Sequence, residues 1–180
     1  PADEYVDLIG IDVYDQSWGN FSEGGRIYSD AYLTADEDEK LKRREEAWQS
    51  ILRGNWGLQD IDDFADQHNK PVGICEWGIV DRGNASDGGG GNDNPYFIEQ
   101  MWNWINTNNV AWHVYFNVSA GDGDHDLYDT VKFPESAAKF QELWNPEGEA
   151  STLPSVDPSD VENLPDKYIK VEAEDGYYAG

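Results

Sequence analysis

The chain has 180 residues, 38% of them hydrophobic, with eight Trp, ten Tyr and six Phe; this is enough apolar material for a folded core and excludes a disordered chain. Twelve Lys+Arg stand against 37 Asp+Glu, and the net charge of −25 excludes nucleic acid and anionic membrane as natural partners. A single cysteine, Cys75, excludes an internal disulfide.

Such acidity has two readings, an acidic interaction tail or a surface adapted to high salt, where dense carboxylates hold water and ions screen their repulsion. The carboxylates are spread along the whole chain, which favours the second and predicts stability that rises with added KCl. No stretch approaches the apolar length of a membrane span. The sequence starts at Pro1 with neither an initiator Met nor a signal-peptide pattern, so an upstream portion is expected.

Tyr5 to Tyr14, YVDLIGIDVY, is a β-branched and aromatic run of the kind buried on both faces in a parallel sheet. Residues 37–53 have helical spacing, with Leu41, Trp48, Ile51 and Leu52 as the apolar positions and charge elsewhere. A second helix is predicted from Leu58 to His68, after Gly57. Pro71 to Gly78, PVGICEWG, is again a short buried strand, in which Cys75 reads as a small core residue. A long loop follows, rich in Gly, Asn and Asp.

Asn94 and Pro95 then supply a cap and a first-turn proline for a helix over 95–106, whose apolar face is Phe97, Met101, Trp104 and Ile105. Val110 to Asn117 is a third strand and Pro134 to Trp144 a last helix. Alternating strands and helices without a hairpin signal predict a parallel sheet covered by helices, either doubly wound or part of a barrel. Residues 146–167 are Pro-containing and acidic and read as a linker. Residues 168–180 return to strand-like alternation, as at the first edge of another domain.

Glu76 is the residue that most needs explaining. A carboxylate at the end of an apolar strand is costly unless something pairs with it or uses it. In a parallel α/β barrel the C-terminal strand ends form the active-site face, where a catalytic carboxylate belongs. A structural role, pairing with an Arg or capping a helix, remains the alternative. Tyr14 and Asn117 end the neighbouring predicted strands. Trp18, Trp77 and Tyr115, at or just beyond strand ends, are candidate walls for stacking on sugar rings, with ordinary core packing as the competing role. Asn117 is suited to a sugar hydroxyl or to forming a turn. Asp12, two residues before Tyr14, shares its strand face.

The ordered set VDLIGIDVYD, KPVGICEWG and WHVYFN, with helices between, resembles the sixth, seventh and eighth strands of retaining (β/α)₈-barrel glycoside hydrolases, and is most similar to family 26, the β-mannanase family. The resemblance covers residues 1–145 and implies a fold of α/β class, a partial TIM barrel made of its last three strand–helix units. It implies that Glu76 is the nucleophile, that Tyr14 orients it, and that the acid/base glutamate belongs to a fourth strand outside these residues. The implied activity is endo-cleavage of a β-linked polysaccharide, β-mannan first and β-glucan or β-xylan next. IKVEAEDG resembles the opening strand of β-sandwich carbohydrate-binding modules. A secreted monomer acting on polysaccharide, without cofactor or metal, is the implied whole. Two other readings stay open: a barrel that binds carbohydrate without catalysis, and a doubly wound α/β protein with its ligand at a strand-order switch.

Other motifs carry less. Gly88 to Gly91 lacks the Lys-Ser/Thr of a phosphate loop and reads as a flexible loop beside the cleft. GDGDHD at 121–126 begins like a calcium loop but has Leu127 where Gly is required and Phe133 where Glu is required. His68, His113 and His125 lack zinc-ligand spacing.

Overall fold

Three apolar segments become one parallel sheet, β1 (Ile9–Tyr14), β2 (Val72–Gly78) and β3 (Val110–Tyr115), in the order β1-β2-β3. The computed structural model describes residues 3–83 and 89–144, which belong to one compact unit. The predicted linker at 146–167 and module at 168–180 lie outside the described residues. Helices α1 (Asp30–Thr34), α2 (Glu37–Arg53) and α3 (Leu58–Gln67) connect β1 to β2; α4 (Pro95–Thr107) connects β2 to β3; α5 (Pro134–Trp144) follows β3.

Local chemistry sets the helix starts. The Asp36 carboxylate accepts from the Glu39 N–H at 2.9 Å, and three acidic residues occupy the first turn of α2, facing its positive end. Asn94 accepts from the Phe97 N–H at 3.2 Å while Pro95 fills the first turn of α4, as predicted.

One face of the sheet carries the core. Val13, Ile74 and Trp77 pack with Phe97, Ile98, Met101 and Trp104 of α4, and Phe140 and Trp144 of α5 join them. Trp77 is 0% exposed and lies among rings, with centroids 6.2 Å from Phe97, 6.1 Å from Phe140 and 5.4 Å from Trp144. A buried indole N–H needs an acceptor. It finds His113 Nδ1 at 3.1 Å, and burial holds the His113 pKa below its ordinary value, which keeps that nitrogen free to accept.

Among the described residues, no helix covers the opposite face. Gly10, Asp12 and Cys75 are exposed there, beside Trp112 and Val114, which are 41% and 48% exposed. Parallel sheets are ordinarily covered on both faces. A bulge in β2 orders this division: Ile11 pairs with Ile74 but Asp12 pairs with Glu76, so Cys75 is an extra residue. Ile74 and Trp77, three apart, thereby share the covered face, whereas Cys75 and Glu76 turn to the open one. The prediction of Cys75 as a core residue is corrected accordingly; it is exposed, with its sulfur 3.1 Å from where a Cβ on Gly10 would sit.

Other sequence expectations shift. The first strand begins at Ile9 rather than Tyr5, since residues 3–5 form a 3₁₀ turn and Tyr5 stays exposed. The third ends at Tyr115 rather than Asn117. A small antiparallel pair, β4 (Ser119–Ala120) with β5 (Gly123–Asp124), appears where no hairpin was expected. On α2, Leu41 is exposed and Arg43 and Arg44 are buried instead. The Arg43 guanidinium lies 4.2 Å over the Phe21 ring, pairs with Glu39 at 2.7 Å and donates to the carbonyls of Arg26 and Ile27. It seals a second small core in which Phe21, Ile27, Tyr28 and Tyr32, from the segment between β1 and α2 that the periodicity left unassigned, pack with Ala47 of α2.

Candidate functional site

β1 and β2 run in the same direction, so their C-terminal ends lie side by side, and the two residues that end on the open face meet there. Tyr14 donates its hydroxyl to Glu76 Oε2 at 2.7 Å. Glu76 and Tyr14 are both half-buried, close enough to solvent for a ligand to reach the carboxylate. Burial first, then the hydrogen bond to Glu76 and the negative charges of Glu76, Asp12 and Asp122, push the Tyr14 pKa well above the ordinary phenol value. Tyr14 therefore remains a neutral donor at any ordinary pH. It fixes one carboxylate oxygen and leaves the other, Oε1, without a partner from Tyr14. Asp12 pairs in register with Glu76 and is exposed on the same face.

Behind Tyr14 stands His125, which the sequence reading considered only as a metal ligand. It is buried, its ring centroid 5.0 Å from Tyr14 and 5.3 Å from Phe116. Its Nδ1 lies 2.7 Å from the Ile79 carbonyl, and since a carbonyl only accepts, Nδ1 carries the hydrogen. The His125 carbonyl in turn accepts from the Tyr115 hydroxyl at 3.0 Å. One side chain thus ties the segments that follow β2 and β3 to the ring that holds Glu76.

The loops at this end are locked. Asp81 and Asp124 exchange backbone hydrogen bonds at 2.9 Å, and Lys132 bridges both carboxylates at 2.8 Å. Directly after Tyr14, Asp15 is fully buried and accepts from Tyr28 and Asn94, each at 2.7 Å. Burial outweighs these hydrogen bonds and the nearby Arg44 charge and raises the Asp15 pKa to about 6. A Cβ on Gly91 would sit 1.9 Å from Asp15 Oδ2, and one on Gly90 would sit 1.9 Å from the Val80 carbonyl. Of the Gly88 to Gly91 run expected to be a flexible loop, Gly88 lies outside the described residues, and Gly90 and Gly91 are packed against the chain at the ends of β1 and β2.

The candidate walls separate. Trp18 is 54% exposed, with the Arg82 guanidinium 5.9 Å from its ring, and is available for stacking. Trp77 is corrected: the bulge turns it into the core, where it offers no face to a ligand. Tyr115 packs edge-on against Trp77 and Phe140 on the helix side, so its ring is chiefly a core group whose hydroxyl braces His125. Asn117 Oδ1 accepts from the Leu127 N–H at 2.7 Å, the turn-forming role of the two weighed for it. Asp15, Asn94 and His125 were missed because each follows or lies within a motif read for another purpose.

Comparison with protein-family models, with curated proteins and with solved structures found no match to this chain. Among the described residues, no group of His, Cys, Asp and Glu has the geometry to hold a metal ion, and no helix is long and apolar enough to cross a membrane.

Proposed function

We propose that this chain is part of the catalytic domain of a retaining glycoside hydrolase with a (β/α)₈ barrel, acting on a β-linked polysaccharide. β-Mannan is the first choice, followed by β-glucan and β-xylan. The observation that carries the reading is the 2.7 Å hydrogen bond from Tyr14 to Glu76 at the adjacent C-terminal ends of two parallel strands. The bare sheet face with half-exposed Trp112 and Val114 supports a barrel, because further strands would convert that face into an interior.

In this proposal the Glu76 carboxylate attacks the anomeric carbon through the oxygen that Tyr14 leaves unoccupied. The glycosidic C–O bond breaks, and a covalent glycosyl ester forms. Tyr14 prevents the carboxylate from rotating and carries part of its charge as the ester forms and is hydrolysed. Asp12 adds negative charge that favours the positive character developing on the sugar ring. The acid/base carboxyl, about 5–5.5 Å from the nucleophile in retaining enzymes, comes from another strand of the barrel. Trp18 supplies a stacking wall. Residues 146–167 serve as linker to a carbohydrate-binding module beginning near residue 168, in a secreted, salt-adapted monomer that needs no cofactor.

The test uses the full-length enzyme in high salt, assaying wild type and Glu76→Ala on mannan, β-glucan and xylan. Loss of activity by at least about a thousandfold, with partial recovery on adding azide as substitute nucleophile, is expected. Unchanged turnover by the variant would remove Glu76 from the mechanism, and no hydrolysis by either protein would favour a barrel that only binds.

A further inference from the structure

Three described residues other than glycine adopt a left-handed backbone: Asn69 with φ 52°, Asn92 with φ 55°, and Trp56 with φ 61°. Asparagine tolerates this region, but a bulky aromatic residue is strained there. Burial does not offset that strain, because Trp56 is 81% exposed. The turn joining α2 to α3 is tightly wound on either side. A Cβ on Gly54 would lie 2.4 Å from the Ser50 carbonyl, and one on Gly57 would lie 2.7 Å from the Ile51 carbonyl. Position 56 therefore suits Gly or Asn, and a tryptophan there serves neither conformation nor core.

What it does form is one wall of a cleft of about 480 Å³, lined also by Asn55, Asp60, Asp63, Phe64 and Gln67. Asp60, Asp63, Phe64 and Gln67 recur at helical spacing along one side of α3. Phe64 is 47% exposed, a second aromatic surface beside the first. Asp60 accepts the Trp56 N–H at 3.0 Å, and Asp63 accepts from Gln59 at 2.9 Å, so each carboxylate already has a protein donor. The polar lining adds the amides of Asn55 and Gln67, which both donate and accept.

We propose that this cleft is a second carbohydrate site, separate from the strand ends, which holds pyranose rings of a neutral polysaccharide. The indole face takes the axial C–H side of a ring, and the amides and Asp63 take its hydroxyls. A net charge of −25 disfavours an anionic polysaccharide. A point cation would gain from the carboxylates but make no use of amide donors. The choice of polysaccharide as ligand rests on the proposed hydrolase function; the existence of a selected ligand surface rests on Trp56 alone.

The experiment titrates the whole chain, in a Trp18→Ala background that silences the strand-end wall, with mannohexaose, cellohexaose and xylohexaose, and separately with hexalysine. Binding is followed calorimetrically. Trp56→Gly is expected to weaken hexaose binding by at least about tenfold, the equivalent of losing one stacking contact, while melting at the same or a higher temperature because the strain is relieved. Hexaose affinity unchanged in Trp56→Gly would overturn the second site and leave the hydrolase reading standing. Binding of hexalysine but of no hexaose would overturn the carbohydrate assignment in favour of a cationic ligand. Mannan hydrolysis by the full-length enzyme separates that result from failure of the hydrolase reading.

Discussion

The two faces of the three-stranded sheet have the same backbone and opposite chemistry. On the covered face, Val13, Ile74 and Trp77 are buried among α4 and α5; on the open face, Asp12, Tyr14, Cys75 and Glu76 stand beside half-exposed Trp112 and Val114. Stability is concentrated on the first, and a polar constellation joined by the Tyr14–Glu76 hydrogen bond sits on the second. The contrast extends to the carboxylates of Asp15 and Glu76. Asp15 is buried with two donors and held by packing, whereas Glu76 is half-buried and, among the described residues, accepts from Tyr14 alone. The first arrangement holds a carboxylate away from solvent, and the second leaves one within reach of a ligand.

The largest effect that could break this contrast is Trp77→Ala, expected to lower stability by about 3–5 kcal/mol in urea denaturation because it leaves an aromatic-sized cavity and strands His113. A cost below about 1 kcal/mol would mean that the covered face is not the core. Next comes the pH response of Asp15. Its folded pKa of about 6 lies above the ordinary 3.8, so the folded state holds a proton that the unfolded state releases. The stabilising contribution is complete below about pH 4 and is lost as pH rises past about 6, a change of about 3 kcal/mol. Asp15→Asn, which cannot ionise, should gain on wild type by that amount across the same interval in parallel melting curves. A constant difference between the two proteins would show that Asp15 is ionised throughout.

Tyr14→Phe removes one partly buried hydrogen bond and should cost only about 1 kcal/mol of stability; a loss as large as that of Trp77→Ala would erase the division between faces. The smallest effect is the most informative about the rest of the fold. Trp112→Ser should alter the stability of this chain by within about 0.5 kcal/mol, as at an open surface. In a longer protein whose further strands close over that face, as the proposed barrel requires, the same substitution should cost about 3 kcal/mol. Equal values in both proteins would argue against a barrel interior at Trp112.

Where the sequence carried a strong local signal, the fold was legible. α2 and α5 span the predicted residues, and the Asn94–Pro95 start of α4 is as expected, because caps and helical spacing act within a few residues. The parallel order was readable from the alternation of strands and helices. The second small core was not, since the chain from Gly19 to Thr34 has no period and is organised by Arg43 and Arg44 reaching back from α2. In the site, Glu76 and Tyr14 were legible as strand-end residues, and their meeting required only that the strands be neighbours. Trp77 and Cys75 were misread because Cys75 was taken as core from its place in an apolar run and Trp77 as a wall from its place at a strand end, and neither signal reveals the extra residue that sets their faces. His125 could have been found only by asking what a histidine amid aspartates would do when buried.

That extra residue has a consequence for how this gene tolerates change. In β2 the side-chain parity resets at Cys75, so the strand behaves like a reading frame carrying a compensated insertion. Deleting Cys75 would restore the regular alternation and leave Glu76 on the open face and Trp77 in the core, whereas pairing the same seven residues without a bulge would drive the carboxylate of Glu76 into the aromatic core and present the indole of Trp77 to the open face. Substitutions at Cys75 preserve the parity too and should be accepted if they spare Gly10. The strand is therefore permissive at Cys75 and strict only in the faces that Glu76 and Trp77 take.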